Sequence, residues 1–254
     1  MTNLVKMEWY KLRTKKVFII LAVITFAIGL AFSAGAPIML KAVGASVSST
    51  MLSGAIGTPF DFGLLMIPMF ISAIGFLYED FAGGYIKNYA GQAGSRGQIV
   101  ASKFIVLCIH NLVFFILGSL SSVLGAAMAG TLVVDSIAFA GVGTLLLKWL
   151  LSMAICSILM FFAVGIKNKT LATIVGVIFA TGALNLAYMG ISTGVTYIFK
   201  IEDFSMGDYL PDSLIGSVNA GTNTLIINAL LVGLIFTAAF VALTYFTFKK
   251  RDIK

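Results

Sequence analysis

Charged residues are scarce in this sequence, and their scarcity excludes a water-soluble globular domain. Of 254 residues only 11% are charged and 59% are hydrophobic, and the mean hydropathy is +1.04. An average soluble domain is about 25% charged and about 45–50% apolar. Because a chain with so few polar side chains cannot cover a surface that faces water, we expect an integral membrane protein.

Residue types that carry catalytic chemistry are also few. The sequence has one histidine, His110, and two cysteines, Cys108 and Cys156, which lie inside apolar runs. One histidine does not build a histidine metal site, and buried free thiols behave as small hydrophobic residues. We prefer a packing role for His110, with a hydrogen bond to a neighbouring helix, over a functional role as a buried ionisable group.

Nucleotide-binding and nucleophile motifs are absent or misplaced. There is no G-x-x-x-x-G-K-[ST] loop. A G-x-S-x-G match spans residues 190–194, but we expect Ser192 and His110 near opposite faces of the membrane, too far apart to react. We therefore expect no catalytic residue, no metal site and no enzyme activity on this chain.

Six continuous apolar runs have about the 20 residues that a transmembrane helix needs. Because they do not alternate with period two, they indicate helices rather than barrel strands. The sequence thus predicts an all-α integral membrane protein, a single transmembrane domain over residues 1–254 with six spans at 17–36, 62–78, 104–129, 149–166, 171–189 and 225–248.

Basic residues predict the orientation of these spans. If the spans alternate, 14 of the 17 lysines and arginines lie on the side of the N- and C-termini. The positive-inside rule then makes both termini cytoplasmic. On the other side, Lys148 is expected at the start of the fourth span, with its amine extended to the outer water.

The net charge of +7 does not indicate nucleic-acid binding. The basic residues occur in short blocks between apolar runs, without a basic face or a recognition motif. We expect the lipid bilayer as a partner, and no nucleic acid.

The N-terminal segment, residues 1–16, is predicted to hold an interfacial elbow helix. Val5, Trp9 and Leu12 recur at helical spacing among basic residues, a pattern typical of a helix that lies along the membrane surface. The alternative is a frayed basic anchor that only sets the topology.

Further local features concern the spans and outer segments. Stripes of small residues suggest close helix contacts at Ala27, Ala31 and Gly35 and at Ala172, Gly176 and Ala180. Pro68 is expected to kink the second span. Residues 37–60 and 190–223 are predicted as outer loops, and candidates for pore lining or for hydrogen bonds between helices are Asn185, Asn219 and Asn228.

The longest polar interruption, residues 79–103, faces the cytoplasm in this topology. No predicted span has an interior acid that would couple transport to protons or sodium, so the energy must come from another chain. A purely solvated loop remains the alternative interpretation of this segment.

Three motifs resemble those of one transporter family. Within 79–103 the pattern is Glu79, Gly84, Asn88, Ser95-Arg96, Gln98-Ile99 and Lys103. Glu8-Trp9-Tyr10-Lys11-Leu12 precedes a basic cluster, and the chain ends Phe248-Lys249-Lys250-Arg251-Asp252-Ile253. Together these resemble the permease subunits of type-2 ABC exporters, specifically exporters of bacteriocins, antibiotics or amphipathic peptides and the related immunity systems.

The resemblance implies a cytoplasmic coupling helix between spans two and three that contacts an ABC ATPase. The implied contacts are Glu79, Asp80, Tyr85, Ile86, Lys87, Asn88, Tyr89, Ser95 and Arg96. It also implies two ATPase subunits, a second permease chain (identical or not), and a bacterial cytoplasmic membrane. No cofactor is expected on this chain, since ATP and Mg²⁺ bind the ATPase. The alternative function is a non-transporting immunity or sensor scaffold that binds a peptide.

Overall fold

The chain is almost entirely helical in the computed structural model, which describes residues 2–61, 63–82, 96–136, 138–165, 168–200, 204–218 and 223–250. The helices are α1 (Thr2–Thr14), α2 (Lys16–Ala42), α3 (Leu52–Gly57), α4 (Met66–Ala82), α5 (Arg96–Met128), α6 (Ala138–Gly165), α7 (Lys169–Thr181), α8 (Leu184–Phe199), α9 (Pro211–Ser217) and α10 (Asn223–Lys250). A 3-10 turn spans Met206–Tyr209, and two short strands, β1 (Thr50–Met51) and β2 (Leu132–Val133), pair in parallel.

Each of the six predicted spans contains a helix, but the helices differ in length. Within the described ranges, α2, α5, α6 and α10 are long and apolar enough to cross a membrane. Helices α7 and α8 meet at a bend of 65° and count as one further span if taken together, whereas α4 is shorter. The all-α membrane architecture is therefore confirmed, while the six spans stay a prediction, since four or five helices among the described residues have the length and composition of a span.

Contacts between helices fix their relative directions. Helix α2 runs parallel to α5, because Phe18 packs on Phe114 while a side chain at Gly29 would meet Ser121. Helix α10 runs parallel to α6, since Gly233 lies against Leu150 and Phe240 against Phe161.

Helix α4 runs opposite to α5, and this defines two ends of the bundle. Ser72 bonds His110, and Phe76 lies beside Lys103, so the end of α4 meets the start of α5. The end of the bundle that carries Glu79 and Lys103 is called the base, and the opposite end the far end. Helix α1 and the end of α10 lie at the base.

Local sequence explains why several helices begin and end where they do. The Asn168 side chain accepts hydrogen bonds from the backbone N–H groups of Thr170 and Leu171, at 3.0 and 3.4 Å, and so caps α7. Gly182, with φ of 65°, ends α7 in the left-handed conformation.

The predicted kink at Pro68 is not present. Helix α4 begins at Met66, so Pro68 is its third residue. In the first turn of a helix the N–H that proline lacks has no partner to lose.

Small residues let α2 and α5 approach closely, although not those predicted. Side chains at Gly29 and Gly125 would meet the hydroxyls of Ser121 and Ser33 at 2.0 and 1.9 Å. The predicted stripe is wrong, because Ala27 and Ala31 are exposed. The stripe in α7 is confirmed: Ala172, Gly176 and Ala180 are all buried.

The segment predicted as an outer loop over residues 37–60 is partly helical, and its second half, residues 52–60, packs into the bundle, which corrects the prediction. Helix α2 continues through Pro37 to Ala42, and α3 packs on α5 and α6. Ser119 donates to the Ile56 carbonyl at 2.8 Å, and Phe60 stacks on Phe115 with ring centroids 4.0 Å apart. The hydroxyl and backbone N–H of Ser53 donate to Asp135 at 2.5 and 3.1 Å, which holds α3 beside β2.

Much of the other predicted outer loop, residues 190–223, is also helical. It contains the second half of α8, the 3-10 turn and α9. Helix α9 packs on α6 and α10 at the far end.

Candidate functional site

The base of the bundle holds the residues nearest to the predicted coupling segment. Helix α4 leads into residues 83–95 and α5 leads out of them. Residues 83–95 lie outside the described residues, and with them Tyr85, Ile86, Lys87, Asn88, Tyr89 and Ser95. Asp80 and Arg96 belong to α4 and α5, but the positions of their side chains are not described. Among the predicted contacts, Glu79 is thus the residue whose environment the structure gives.

A buried ion pair joins α1 to the first turns of α5. Lys103 Nζ lies 3.1 Å from Glu8 Oε2, and the two side chains are 0% and 1% exposed. Lys11 Nζ lies 3.7 Å from the other carboxylate oxygen. Because buried charges are costly unless they are paired, this contact fixes α1 against α5.

A second ion pair joins the junction of α1 and α2 to the end of α4. Lys15 pairs with Glu79, whose side chain is 52% exposed. Lys15 and Lys103 also lie over the ring of Phe76, with their amines 5.3 and 5.0 Å from its centroid. Cations near an aromatic face are attracted to it, so Phe76 lies between the two ion pairs.

The predicted elbow residues lie on the packed side of α1. Leu12 is fully buried, and Val5 and Trp9 are partly buried against the core. The helix predicted within residues 1–16 is therefore confirmed as α1, and it is a packed element of the base instead of a frayed anchor. The first ion pair and this packing hold α1 on α5, and the second ion pair holds the junction of α1 and α2 on α4.

Sequence reasoning missed the Glu8–Lys103 pair. Glu8 is the single acid in an otherwise basic N-terminal segment, and Lys103 is the last residue of the polar interruption 79–103. That isolation of one acid among basic residues was the available signal.

A polar network crosses the bundle interior from α4 to α6. His110 Nε2 hydrogen-bonds the Ser72 hydroxyl at 3.0 Å, and its Nδ1 lies 2.9 Å from Asn111 Oδ1. The Asn111 amide donates to Ser152 Oγ and Cys156 Sγ, both at 3.2 Å. The predicted packing role of His110, bonded to a neighbouring helix, is confirmed.

Lys148 does not extend to the outer water, and this prediction is wrong. Helix α6 begins ten residues earlier, at Ala138, and the side chain of Lys148 is fully buried. Its amine pairs with Asp61 and donates to the Gly57 carbonyl at 2.7 Å. The partner was not predicted because Asp61 lies between the predicted outer loop and the predicted second span, whereas residues 52–61 pack into the bundle and carry it inward.

The three candidate asparagines are in different places. Asn185 lies in the first turn of α8 at the far end, beside the bend, and its Oδ1 is buried without a hydrogen-bond donor. Asn228 is half-buried in α10. Asn219 lies outside the described residues.

These features define a class of protein: a helical membrane protein whose apolar bundle ends in a charged base that ion pairs hold together. A family model described as "ABC-2 family transporter protein" matches residues 4–185. The chain therefore belongs to the ABC-2 transporter family, as its motifs predicted, and it is a permease subunit that implies a membrane and an ABC ATPase partner. A search of curated proteins found no match.

Proposed function

We propose that this chain is the permease subunit of an ATP-driven exporter in the bacterial cytoplasmic membrane, with both termini in the cytoplasm. In this orientation the base faces the cytoplasm. The cluster of Lys6, Lys11, Arg13, Lys15 and Lys16 at the base supports this, since basic residues are enriched on the cytoplasmic side of membranes.

The ion pairs at the base support a mechanism of coupling that family membership alone does not give. The Glu8–Lys103 pair ties α1 to α5, the helix that leaves residues 83–95. The Lys15–Glu79 pair ties the junction of α1 and α2 to α4, the helix that enters them. A displacement of that segment would therefore move α1, α4 and α5 together. We infer that an ATPase acts on residues 83–95 and that the tied base passes the motion to the bundle.

The partners follow from this mechanism. Two ATPase subunits bind and hydrolyse ATP with Mg²⁺, and a second permease chain, identical or related, completes the translocation path. This chain supplies no catalytic group of its own. Glu79, Asp80, Lys87 and Arg96 supply polar contacts to the ATPase, with Tyr85, Ile86 and Tyr89 as apolar contacts.

The proposed cargo is an amphipathic or antimicrobial peptide or a hydrophobic drug that is moved out of the cell. The resemblance to peptide and antibiotic exporters supports this class. A non-transporting immunity or sensor scaffold that binds the same peptide is the competing function, and it requires no ATPase.

The test is to purify the permease with the ABC ATPase encoded beside it, in lipid discs, and to measure ATP hydrolysis. We expect a stable complex whose hydrolysis rises with peptide. Arg96→Ala should insert normally but reduce the stimulated rate, while Lys200→Ala, a basic residue at the far end, should not. If no ATPase binds the folded permease, the exporter proposal is wrong and the scaffold replaces it.

A further inference from the structure

Two cavities meet at Asn185 at the far end of the bundle. The first, about 250 Å³, lies between the residues around Asp61, the end of α7 and helix α9, and Asp212 lines it. The second, about 440 Å³, lies along α8, and Tyr188, Ser192 and Ser213 line it. Neither cavity belongs to the charged base described above.

Asp212 is a buried carboxylate that lacks a cation in the described part of the chain. Its exposed fraction is 7%, and the Tyr188 hydroxyl donates to its two oxygens at 3.1 and 3.3 Å. Within the described ranges no lysine or arginine forms an ion pair with it. Burial raises the pKa of Asp212 above its usual range, as expected for an anion without charge compensation.

Asn185 adds a second acceptor that is not satisfied. Its Oδ1 is buried and receives no hydrogen bond from the described residues, although Asn185 lines both cavities. A buried acceptor without a donor is energetically unfavourable. A ligand that brings N–H donors to this point would satisfy this acceptor.

Asp61 completes the lining without competing for a ligand. Its charge is largely compensated by Lys148, which lies on the α6 side. The cavity therefore presents one compensated carboxylate, one uncompensated carboxylate and one unsatisfied amide oxygen. All three groups accept hydrogen bonds, so the complementary ligand is a donor with positive charge.

We propose that this cavity binds the ammonium or guanidinium head of an organic cation, with Asp212 as the counter-charge and Asn185 as a further acceptor. The polar cavity along α8 takes the chain attached to that head. A bare metal ion fits less well, because no group of three His, Cys, Asp or Glu among the described residues could hold one.

The ligand that fits this cavity is a lysine or arginine side chain of a cationic peptide, or a free polyamine. That this ligand is exported rests on the proposed function, whereas its binding to the cavity does not.

The experiment measures binding to the permease alone in lipid discs, with empty discs subtracted. The probes are a fluorescent lysine-containing amphipathic peptide, the same peptide with glutamine in place of lysine, and spermidine as competitor. We expect the lysine peptide to bind and the glutamine peptide to bind at least about tenfold more weakly, the scale of one charged hydrogen bond.

Variants of residues inside and outside the cavity show whether the peptide binds there. Asp212→Asn should lower the affinity about tenfold or more. Asp208→Asn, which removes the same charge from the same segment but does not line either cavity, should leave it unchanged. Asn185→Asp should strengthen binding, so the proposal stays testable even if Asp212→Asn fails to fold.

If spermidine displaces bound peptide, the cavity binds a peptide side chain. If spermidine binds but the peptide does not, the ligand is a free polyamine. Equal effects of Asp212→Asn and Asp208→Asn, or no binding of either probe, overturn the proposal. Since no ATPase is present, such a failure leaves the coupling test above untouched.

Discussion

At the scale of single residues, two buried ion pairs join distant parts of the chain. Glu8 pairs with Lys103 and Asp61 with Lys148. The desolvation of an ion in a low-dielectric interior is offset only by a well-placed opposite charge. Sequence patterns revealed neither pair, because the partners are 95 and 87 residues apart and no local pattern links one partner to the other.

The first prediction concerns the buried pair at the base. Glu8→Gln leaves the fully buried Lys103 amine with less compensation, so we expect a loss of about 3–5 kcal/mol in the free energy of unfolding. Denaturant unfolding in detergent micelles measures it. The double variant Glu8→Gln/Lys103→Met should recover most of the loss, and Lys6→Met, at an exposed position of the same helix, should cost little. An unchanged unfolding midpoint for Glu8→Gln would show that the pair does not hold α1.

The second prediction is a pH dependence at the far end. Hydrogen bonds from Ser53 lower the pKa of Asp135 below its usual 3.8. A carboxyl with a lowered pKa stabilises the fold above its unfolded pKa, and this contribution is lost as the pH falls through the lowered value. Asp135→Asn should therefore be less stable than the wild type at neutral pH, and the difference should shrink in acid below pH 3.8. A difference that does not change with pH would contradict this role of Asp135.

At the scale of elements, apolar runs predicted where helices occur but not where they end. Helix α6 begins at Ala138, well before the expected start, and its first turns pack on α3, where Gly141 lies against Ser53. Helix α2 extends through Pro37, which the sequence predicts as the start of an outer loop. Such ends are set by tertiary contacts, which override local propensity.

The third prediction tests the close approach of α2 and α5. A side chain at Gly125 would meet Ser33 and the backbone nitrogen of Ala34 at 1.9 and 3.1 Å, so the helices must separate. Gly125→Leu should cost about 1–3 kcal/mol of stability, the usual range for overpacking. Gly35→Leu is the matched control, since no atom lies within 4 Å of an added side chain there. Equal stability of the two variants would show that the observed crossing does not depend on small residues.

At the scale of the whole molecule, charge bias and helix direction agree. The contacts put α1 and the end of α10 at the same end of the bundle, where the alternation of the predicted spans also puts both termini. The sequence could not predict that residues 52–61 and 63–65 enter the bundle or that α7 and α8 form a bent pair. Both features depend on packing: Gly63, with φ of 68°, lies directly on the Ala180 carbonyl at the end of α7.

The fourth prediction tests orientation. In a background with Cys108 and Cys156 replaced by alanine, Lys6→Cys reports on the base and Val43→Cys, 85% exposed, on the far end. A membrane-impermeant maleimide should label Val43→Cys in intact cells and Lys6→Cys only after lysis. The reverse pattern would invert the topology and remove the coupling segment from the cytoplasm.

The most direct test of the central claim is ATP-dependent transport into inside-out vesicles that contain the permease and its ATPase. A fluorescent cationic amphipathic peptide should accumulate with ATP and Mg²⁺, and Arg96→Ala should reduce the rate while binding persists. Vesicles that bind the peptide but accumulate none with ATP would contradict the exporter and favour the scaffold.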